Sequence, residues 1–327
     1  MRAAVCLRYG PPEVVAVQEL PSPAVNAGQV RVRVSAAAVN YPDVLLIANR
    51  YQLTVPPPFV PGSEFAGAVI ELGARVSGFA VGDRVTGTGL HGAFAEEVVV
   101  DAAAVARIPD GVDDRVAAAA GVAHRTAYHA LRSVARVRRG DRVIVLGAGG
   151  GVGLAAVRLA TLLGAEVTAV ASTPEKLAAA AAHGARHLID HRAVGAGPAL
   201  RTALRAAVPD GAHAVLDPVG GDLSEPALRS LGRGGRFVTL GYASGVIPRI
   251  PLNLVLVKGI HVVGFQFQDI DPAEFRRTEA EWTGLLATGR IRPHIGSTYP
   301  LERTADALRL VADGHAVGKV LIDPTAR

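Results

Sequence analysis

Five glycines fall within seven positions in Gly147-Ala148-Gly149-Gly150-Gly151-Val152-Gly153. A bare apolar run, Arg142–Leu146, precedes them, and a stretch of helical periodicity over residues 152–163 follows. A tight turn between a strand and a helix needs glycine. So does close backbone approach to a pyrophosphate, and so does dense packing of helix on strand. The helix start then offers unpaired N–H groups and a partial positive charge to phosphates. The spacing is a near match to a dinucleotide fingerprint, read through Ala148, Gly150 and Gly153 or through Gly147, Gly150 and Gly153, with Gly151 and Val152 at the helix start. No Lys-Ser or Lys-Thr follows, so a nucleoside-triphosphate loop is excluded.

The second strand decides between the two nicotinamide dinucleotides. An acid at its end would bond the ribose hydroxyls of NAD. Here the strand ends Val170-Ala171-Ser172-Thr173, and Glu175 follows Pro174 as a first-turn helix residue. Ser172, Thr173 and Lys176 instead offer hydroxyls and a cation to a 2′-phosphate, and Arg192 could add a bidentate partner. NADPH is the expected cofactor. The ordinary alternative is that Lys176 and Arg192 are solvated charges.

These residues need elements to hold them. From about residue 120 onward, apolar runs alternate with helical stretches, at 142–146, 166–171, 187–189, 214–216, 236–240 and 261–267. Helices are expected over 174–183 and around 280 and 305, with a last strand at 319–322. Strands buried on both faces and joined by helices imply a parallel, doubly wound sheet. The first ~115 residues read as all-β, with alternation in Val30-Arg31-Val32-Arg33-Val34-Ser35 and Gly/Pro punctuation at Gly10-Pro11-Pro12 and Pro56-Pro57-Pro58. Short strands of this kind suggest a partly open barrel. The tail returns to that first domain, giving residues 1–120 and 268–327 as one discontinuous domain and 121–267 as the dinucleotide-binding one.

Composition narrows the class further. The chain has 327 residues, half of them hydrophobic, and a formal net charge of +5. That mild basic excess suits an anionic small molecule better than nucleic acid. Four arginines lie between Arg136 and Arg142 without an aromatic platform, so a solvated turn is preferred to an RNA site. The single cysteine, Cys6, excludes an intrachain disulfide and any zinc site built from two thiolates of one chain. Nothing argues against a reducing cytoplasm, and no membrane partner is expected, since no apolar run approaches the ~18 residues of a span.

Several segments together resemble the medium-chain dehydrogenase/reductase superfamily, and within it the zinc-free quinone oxidoreductases related to zeta-crystallin. They are Asn40-Tyr41-Pro42-Asp43, Pro61-Gly62-Ser63-Glu64-Phe65-Ala66-Gly67, Gly82-Asp83-Arg84-Val85, the glycine run, Asp217-Pro218-Val219-Gly220-Gly221, Gly234-Gly235-Arg236 and Gly241-Tyr242-Ala243-Ser244-Gly245. The resemblance implies an α/β chain: a GroES-like, partly open β-barrel domain plus a doubly wound Rossmann domain carrying NADPH. The zinc alcohol dehydrogenases of that superfamily place a cysteine ligand at Asn40 and Gly-His-Glu at Gly62-Ser63-Glu64, so no metal is expected.

The same resemblance suggests site residues. Asn40 would bond near the nicotinamide or the substrate oxygen, and Tyr41 would wall the site. Tyr51 matches a proton-donating tyrosine of enoyl-thioester reductases, with loop packing as its equal alternative. Thr126 matches a nicotinamide contact. Val219, Tyr242, Ala243, Phe265, Gln266 and Phe267 match loops over the cofactor, and Lys319 a polar group near the 2′-phosphate. His124 and Arg125 depart from relatives, which carry a phenol and a small residue there. If they line the pocket it is more basic; otherwise they face solvent at a helix start.

The expected activity is metal-independent hydride transfer to quinones or other α,β-unsaturated carbonyls. One alternative is reduction of 2-enoyl thioesters or 2-alkenals with Tyr51 as donor. Another is an NADPH-binding structural, sensing or RNA-binding protein. A homodimer is implied, paired along the last strand of the Rossmann sheet.

Overall fold

The computed structural model describes residues 1–326, which form two compact units, 1–123 with 286–326, and 124–285.

The first unit opens with the antiparallel pair β1 (Arg2–Cys6) and β2 (Val15–Glu19). β3 (Gln29–Val39) is the alternating segment read from the sequence, extended through three alanines. α1 (Tyr41–Ile47) follows directly, then β4 (Glu64–Leu72), β5 (Arg84–Thr88), β6 (Glu97–Asp101), β7 (Val105–Arg107) and α2 (Asp114–Ala120). The all-β expectation for this stretch therefore needs correcting by α1. Asn40 leaves β3 in an extended conformation, Pro42 sits in the first turn, and Asp43 accepts the Asn40 N–H, which together start a helix. Gly67 allows β3 and β4 to touch, since a Cβ there would lie 2.0 Å from the Arg33 carbonyl oxygen.

The second unit carries most of α3 (Val122–His129), which runs into one π-helical turn, Ala130–Val134. Then come β8 (Arg142–Leu146), α4 (Gly151–Leu162), β9 (Glu166–Ala171), α5 (Pro174–Ala182), β10 (His187–Asp190), α6 (His191–Val194) and α7 (Pro198–Ala207). β11 (Ala212–Asp217), α8 (Ser224–Arg229), β12 (Leu231–Thr239), α9 (Leu252–Lys258), β13 (His261–Val263) and α10 (Pro272–Ala287) complete the run. All six strands are parallel, in the order β10-β9-β8-β11-β12-β13. That order reverses between β8 and β11, where ligands of doubly wound sheets bind. β13 is shorter than the strand expected over 261–267, because Phe267–Asp269 turns into a 3-10 helix.

The chain then returns to the first unit with β14 (Ile295–Pro300), α11 (Thr304–Ala312) and β15 (Lys319–Asp323). The larger sheet of that unit runs β14-β15-β3-β4-β5-β7, with β6 also paired to β3. The tail thus joins the first unit, but 18 residues later than the expected boundary at 268, since the second unit extends to Leu285. α10 explains the shift. Its Glu279 bonds Arg125 and His129, and its Glu281 bonds Tyr128 and Arg132, all on α3 or the π turn.

Candidate active site

The glycine run leaves β8 and enters α4 as a cradle. Gly147 has φ +60°, and a Cβ there would lie 2.6 Å from Val219 Cγ2. At Gly153 a Cβ would lie 2.0 Å from the Gly147 carbonyl oxygen, and at Gly149 it would lie 2.4 Å from the Lys176 side chain. Side chains at these positions would force the loop apart. Gly150 is the N-cap of α4 and brings no side-chain oxygen, so the first-turn N–H groups of Gly151 and Val152 lack a side-chain cap. Ala148 is fully buried beneath the loop, its N–H held by the Val170 carbonyl of β9. The residues present fit a bound dinucleotide pyrophosphate.

The polar groups at the end of β9 gather beside it. Thr173 caps α5 through its Oγ1, accepting the Lys176 N–H at 3.3 Å. Lys176 Nζ donates to Ser172 Oγ at 3.4 Å. Lys176 is buried, and burial first, then the charge of Arg192, lowers its pKa. The neighbouring His191 is shifted the same way by burial and by Arg192. Cations that disfavour one another in this way define a position that favours an anion.

Across the switch point, the buried Asp217 carboxylate accepts the N–H groups of Val219 and Gly220, each at 2.8 Å, and the Ser224 hydroxyl at 2.5 Å. This fixes the 217–221 turn, to which the second loop is sewn by Ala243 N–H to the Pro218 carbonyl at 3.2 Å and Ser244 N–H to the Val219 carbonyl at 2.9 Å. Val219, Tyr242 and Ala243 therefore lie on two loops tied together at the end of β11. Phe267 differs from its expected role. Its ring meets Phe265, His129 and Phe275 edge-on, and the Arg125 guanidinium lies over it at 5.4 Å. It is a packing residue, with Gln266 exposed and Phe265 half-buried beside it. Thr126 is half-buried on α3. His124 is buried and Arg125 is paired with Glu279 at 3.0 Å, so neither simply faces solvent, and the carboxylate offsets the added basicity.

The first unit holds a second constellation. Lys319 at the start of β15 is buried, and its ammonium donates to Asn40 Oδ1 at 2.6 Å, Glu64 Oε2 at 3.1 Å and the Val39 carbonyl at 3.2 Å. Those three bonds use all its donors. Assignment of Lys319 to the 2′-phosphate is therefore corrected: it is a buried partner of Asn40 and Glu64. Asn40 is equally committed, since its Nδ2 donates to Glu64 Oε2 at 2.9 Å, with Ser63 Oγ at 3.4 Å. Only 7% exposed, Asn40 orients the cluster rather than reaching outward to a substrate oxygen. Glu64 Oε1 accepts the Val122 N–H at 2.7 Å, and Gly121 leaves room for that carboxylate. Asp43 lies beneath, 1% exposed, taking the Asn40 N–H at 2.7 Å and bonded to the Ser63 hydroxyl. Tyr41 is half-buried at the start of α1, and Tyr51 is half-buried with its ring against the apolar core.

Asp43 and Glu64 stand in the Asn40–Asp43 and Gly62–Glu64 segments of the sequence, where nothing local assigns them a role. Their buried placement depends on Lys319, 255 residues from Glu64 in the chain. The charged types within Asn40–Asp43 and Gly62–Glu64 were the available signal.

A zinc ion does not fit this constellation. Asn40 and Ser63 supply an amide and a hydroxyl in place of thiolate and imidazole, and an ammonium already neutralises Glu64. Among the described residues, no group of three or more His, Cys, Asp and Glu is placed to hold a metal.

A two-unit α/β chain with a glycine cradle at the switch point of a parallel sheet is the architecture of a dinucleotide-dependent oxidoreductase. Family models agree: residues 26–110 match the alcohol dehydrogenase GroES-like domain and 151–283 the zinc-binding dehydrogenase model. The chain is 36% identical to quinone oxidoreductase-like protein 2 of Mus musculus, over 98% of this chain and 91% of that one. The structure of Escherichia coli quinone oxidoreductase complexed with NADPH superposes with a TM-score of 0.90 at 26% identity, covering 99% of this chain and all of the other. A mycobacterial protein complexed with NADPH gives the same TM-score at 30% identity, with 99% and 100% coverage. The chain belongs to the medium-chain dehydrogenase/reductase superfamily, as a quinone oxidoreductase-like member.

Proposed function

We propose that this protein is a metal-independent reductase that uses NADPH to reduce quinones or other α,β-unsaturated carbonyls. The observation that carries the reading is the buried Lys319–Glu64–Asn40 triad, an already neutralised group of polar residues where a simple alcohol or ketone reaction would need a Lewis acid or a proton-transferring side chain. Conjugated acceptors need none, because their own π-system carries the negative charge that hydride addition creates. The quinone oxidoreductases among the similar proteins support the substrate class.

NADPH, when bound, supplies the hydride. Gly150, Gly151, Val152 and Gly153 would hold its pyrophosphate. Ser172, Thr173, Lys176 and Arg192 would hold its 2′-phosphate, and Val219, Tyr242 and Ala243 would close over it. Thr126 would contact the nicotinamide and Tyr41 would wall the substrate, with Phe265 and Gln266 on the loops that would border the cofactor. Incubating purified protein and NADPH with a panel of quinones and enones, and following NADPH oxidation, tests the reading. Turnover of conjugated acceptors, with simple ketones and aldehydes inert, supports it.

We also propose a homodimer. β13 is the edge of its sheet, Val262 on it is 43% exposed, and α9 beside it shows Leu252 and Leu256 at 75% and 83%. An unprotected edge flanked by apolar side chains otherwise invites aggregation. Among the described residues no helix is long and apolar enough to cross a membrane. A reducing cytoplasm suits a chain with one cysteine.

A further inference from the structure

A cleft of about 830 Å³ opens on the second unit, room for an organic molecule rather than a lone ion. Its lining comes from the α6–α7 connection, the turn before α8, α8 itself and the loop between β12 and α9, all within 124–285. None of the residues proposed to hold NADPH lines it.

Three guanidinium groups meet there, from Arg201 of α7, Arg229 of α8 and Arg249 of the loop before α9. Two acids share the lining, Glu225 and Asp222, so it carries one net positive charge. Glu225 is taken up by Arg229, whose Nε and Nη2 donate to it at 2.9 Å and 2.6 Å. Among the described residues, Arg201 and Arg249 have no ion pair, which leaves two cations to a ligand against the one exposed acid, Asp222. The surrounding field has the same sign. Lys258 of α9 donates to the Arg229 and Leu231 carbonyls at 2.7 Å and 2.8 Å, and burial first, then the charges of Arg205, Arg201 and Arg229, lower its pKa. Cations gathered in this way favour an anion among them.

The rest of the lining is apolar. Pro226 is buried, Pro248 is half-buried, and Ile247 is 71% exposed. We propose that this cleft binds an organic anion, a carboxylate or phosphate group on an apolar body, with the acid group on Arg201 and Arg249 and the body against Pro226, Ile247 and Pro248. A guanidinium fork takes either acid group through two parallel hydrogen bonds. Covering Ile247 adds the gain of removing apolar surface from water.

The cleft is tied to the loops beside the glycine cradle. Gly221 N–H donates to the Val246 carbonyl at 3.0 Å, and Ser244 N–H to the Val219 carbonyl at 2.9 Å. A Cβ on Gly220 would lie 2.7 Å from that Val246 oxygen, so the two chains touch without intervening side chains. The segment that brings Ile247 and Arg249 to the cleft therefore rests on the turn that carries Val219. A ligand that draws this segment inward moves the turn, and the anion and NADPH change each other's affinity by the same factor. That linkage rests on the cofactor placement proposed above; the anion site itself does not.

The test titrates the full chain by calorimetry, first without NADPH, with octanoate, octyl phosphate and the uncharged octanamide. At least one of the two anions should bind with a Kd below ~1 mM, and octanamide at least ~10-fold more weakly. The tighter of the two anions names the acid group. Arg201→Gln and Arg249→Gln should each weaken that anion at least ~5-fold and leave NADPH binding within about twofold. Saturating anion should shift the Kd for NADPH at least ~3-fold and then level off. Equal binding of all three probes, or anion binding untouched by both substitutions, would overturn the site. Complete displacement of the anion by NADPH would put it in the cradle, and release of monomers by the anion would make a second copy the occupant; either would also overturn it. An unchanged Kd for NADPH would overturn the linkage. Anion binding by protein that does not bind NADPH would refute the cofactor reading and leave the cleft standing, whereas NADPH binding and turnover without anion binding would refute the cleft alone.

Discussion

Lys176 bears the sharpest residue-level prediction. It sits on Gly149, reaches Ser172 and feels Arg192, and the proposal gives its ammonium to the 2′-phosphate. Lys176→Ala should weaken NADPH binding ~10-fold or more and leave NADH binding within about twofold, measured by fluorescence titration, because one charge-assisted bond is worth ~1.5–3 kcal/mol. Equal losses for both would remove the phosphate from that position. Tyr51 is a contrasting case. Its ring lies against the apolar core, so Tyr51→Phe should change enone and quinone reduction by less than about threefold. A tenfold loss confined to the alkene would restore it as the donor. Asp43 also ties stability to pH. Its pKa is raised in the fold, so between about 4 and about 7 the folded chain keeps a proton the unfolded chain releases. Its contribution to stability is therefore greatest below pH 4 and declines as pH rises to 7. In urea melts, Asp43→Asn should flatten that decline by on the order of 4 kcal/mol; parallel wild-type and variant curves would show that Asp43 does not titrate there.

At the scale of elements, the glycine cradle couples β8 to α4 by contact rather than by side chains. Gly153→Ala places a methyl carbon 2.0 Å from a backbone oxygen, which has no rotamer to escape by. Chemical denaturation should show a loss of about 1–3 kcal/mol together with weaker NADPH binding; an unchanged midpoint would mean that α4 sits farther from β8. Much of this unit was legible in the sequence, because buried parallel strands are uninterrupted apolar runs and glycine spacing is local. β8 and β9 begin and end as expected. What failed was non-local. α1 lies inside the stretch that reads as all-β because its helical signal is only seven residues long, set by Asn40 and Asp43. α10 looked like part of the first domain because only pairing with α3, about 150 residues earlier, assigns it to the second. Lys319 looked like a phosphate ligand because nothing near it in the chain reveals Glu64.

For the whole molecule, association and turnover are the properties at issue. Leu256→Glu puts a charge on a side chain that is 83% exposed in one chain. If α9 and β13 form the dimer face, this variant should run as a monomer on gel filtration while wild type runs as a dimer; identical elution would place the interface elsewhere. The central claim concerns chemistry, and kcat/KM for NADPH and NADH with a 1,4-quinone, an enone and a simple aldehyde tests it most directly, on protein stripped of metal and then supplied with zinc. The account predicts turnover of the quinone and the enone, at least ~10-fold preference for NADPH, no turnover of the aldehyde, and no effect of zinc. Aldehyde turnover that appears only with zinc, or equal use of NADH, would contradict it.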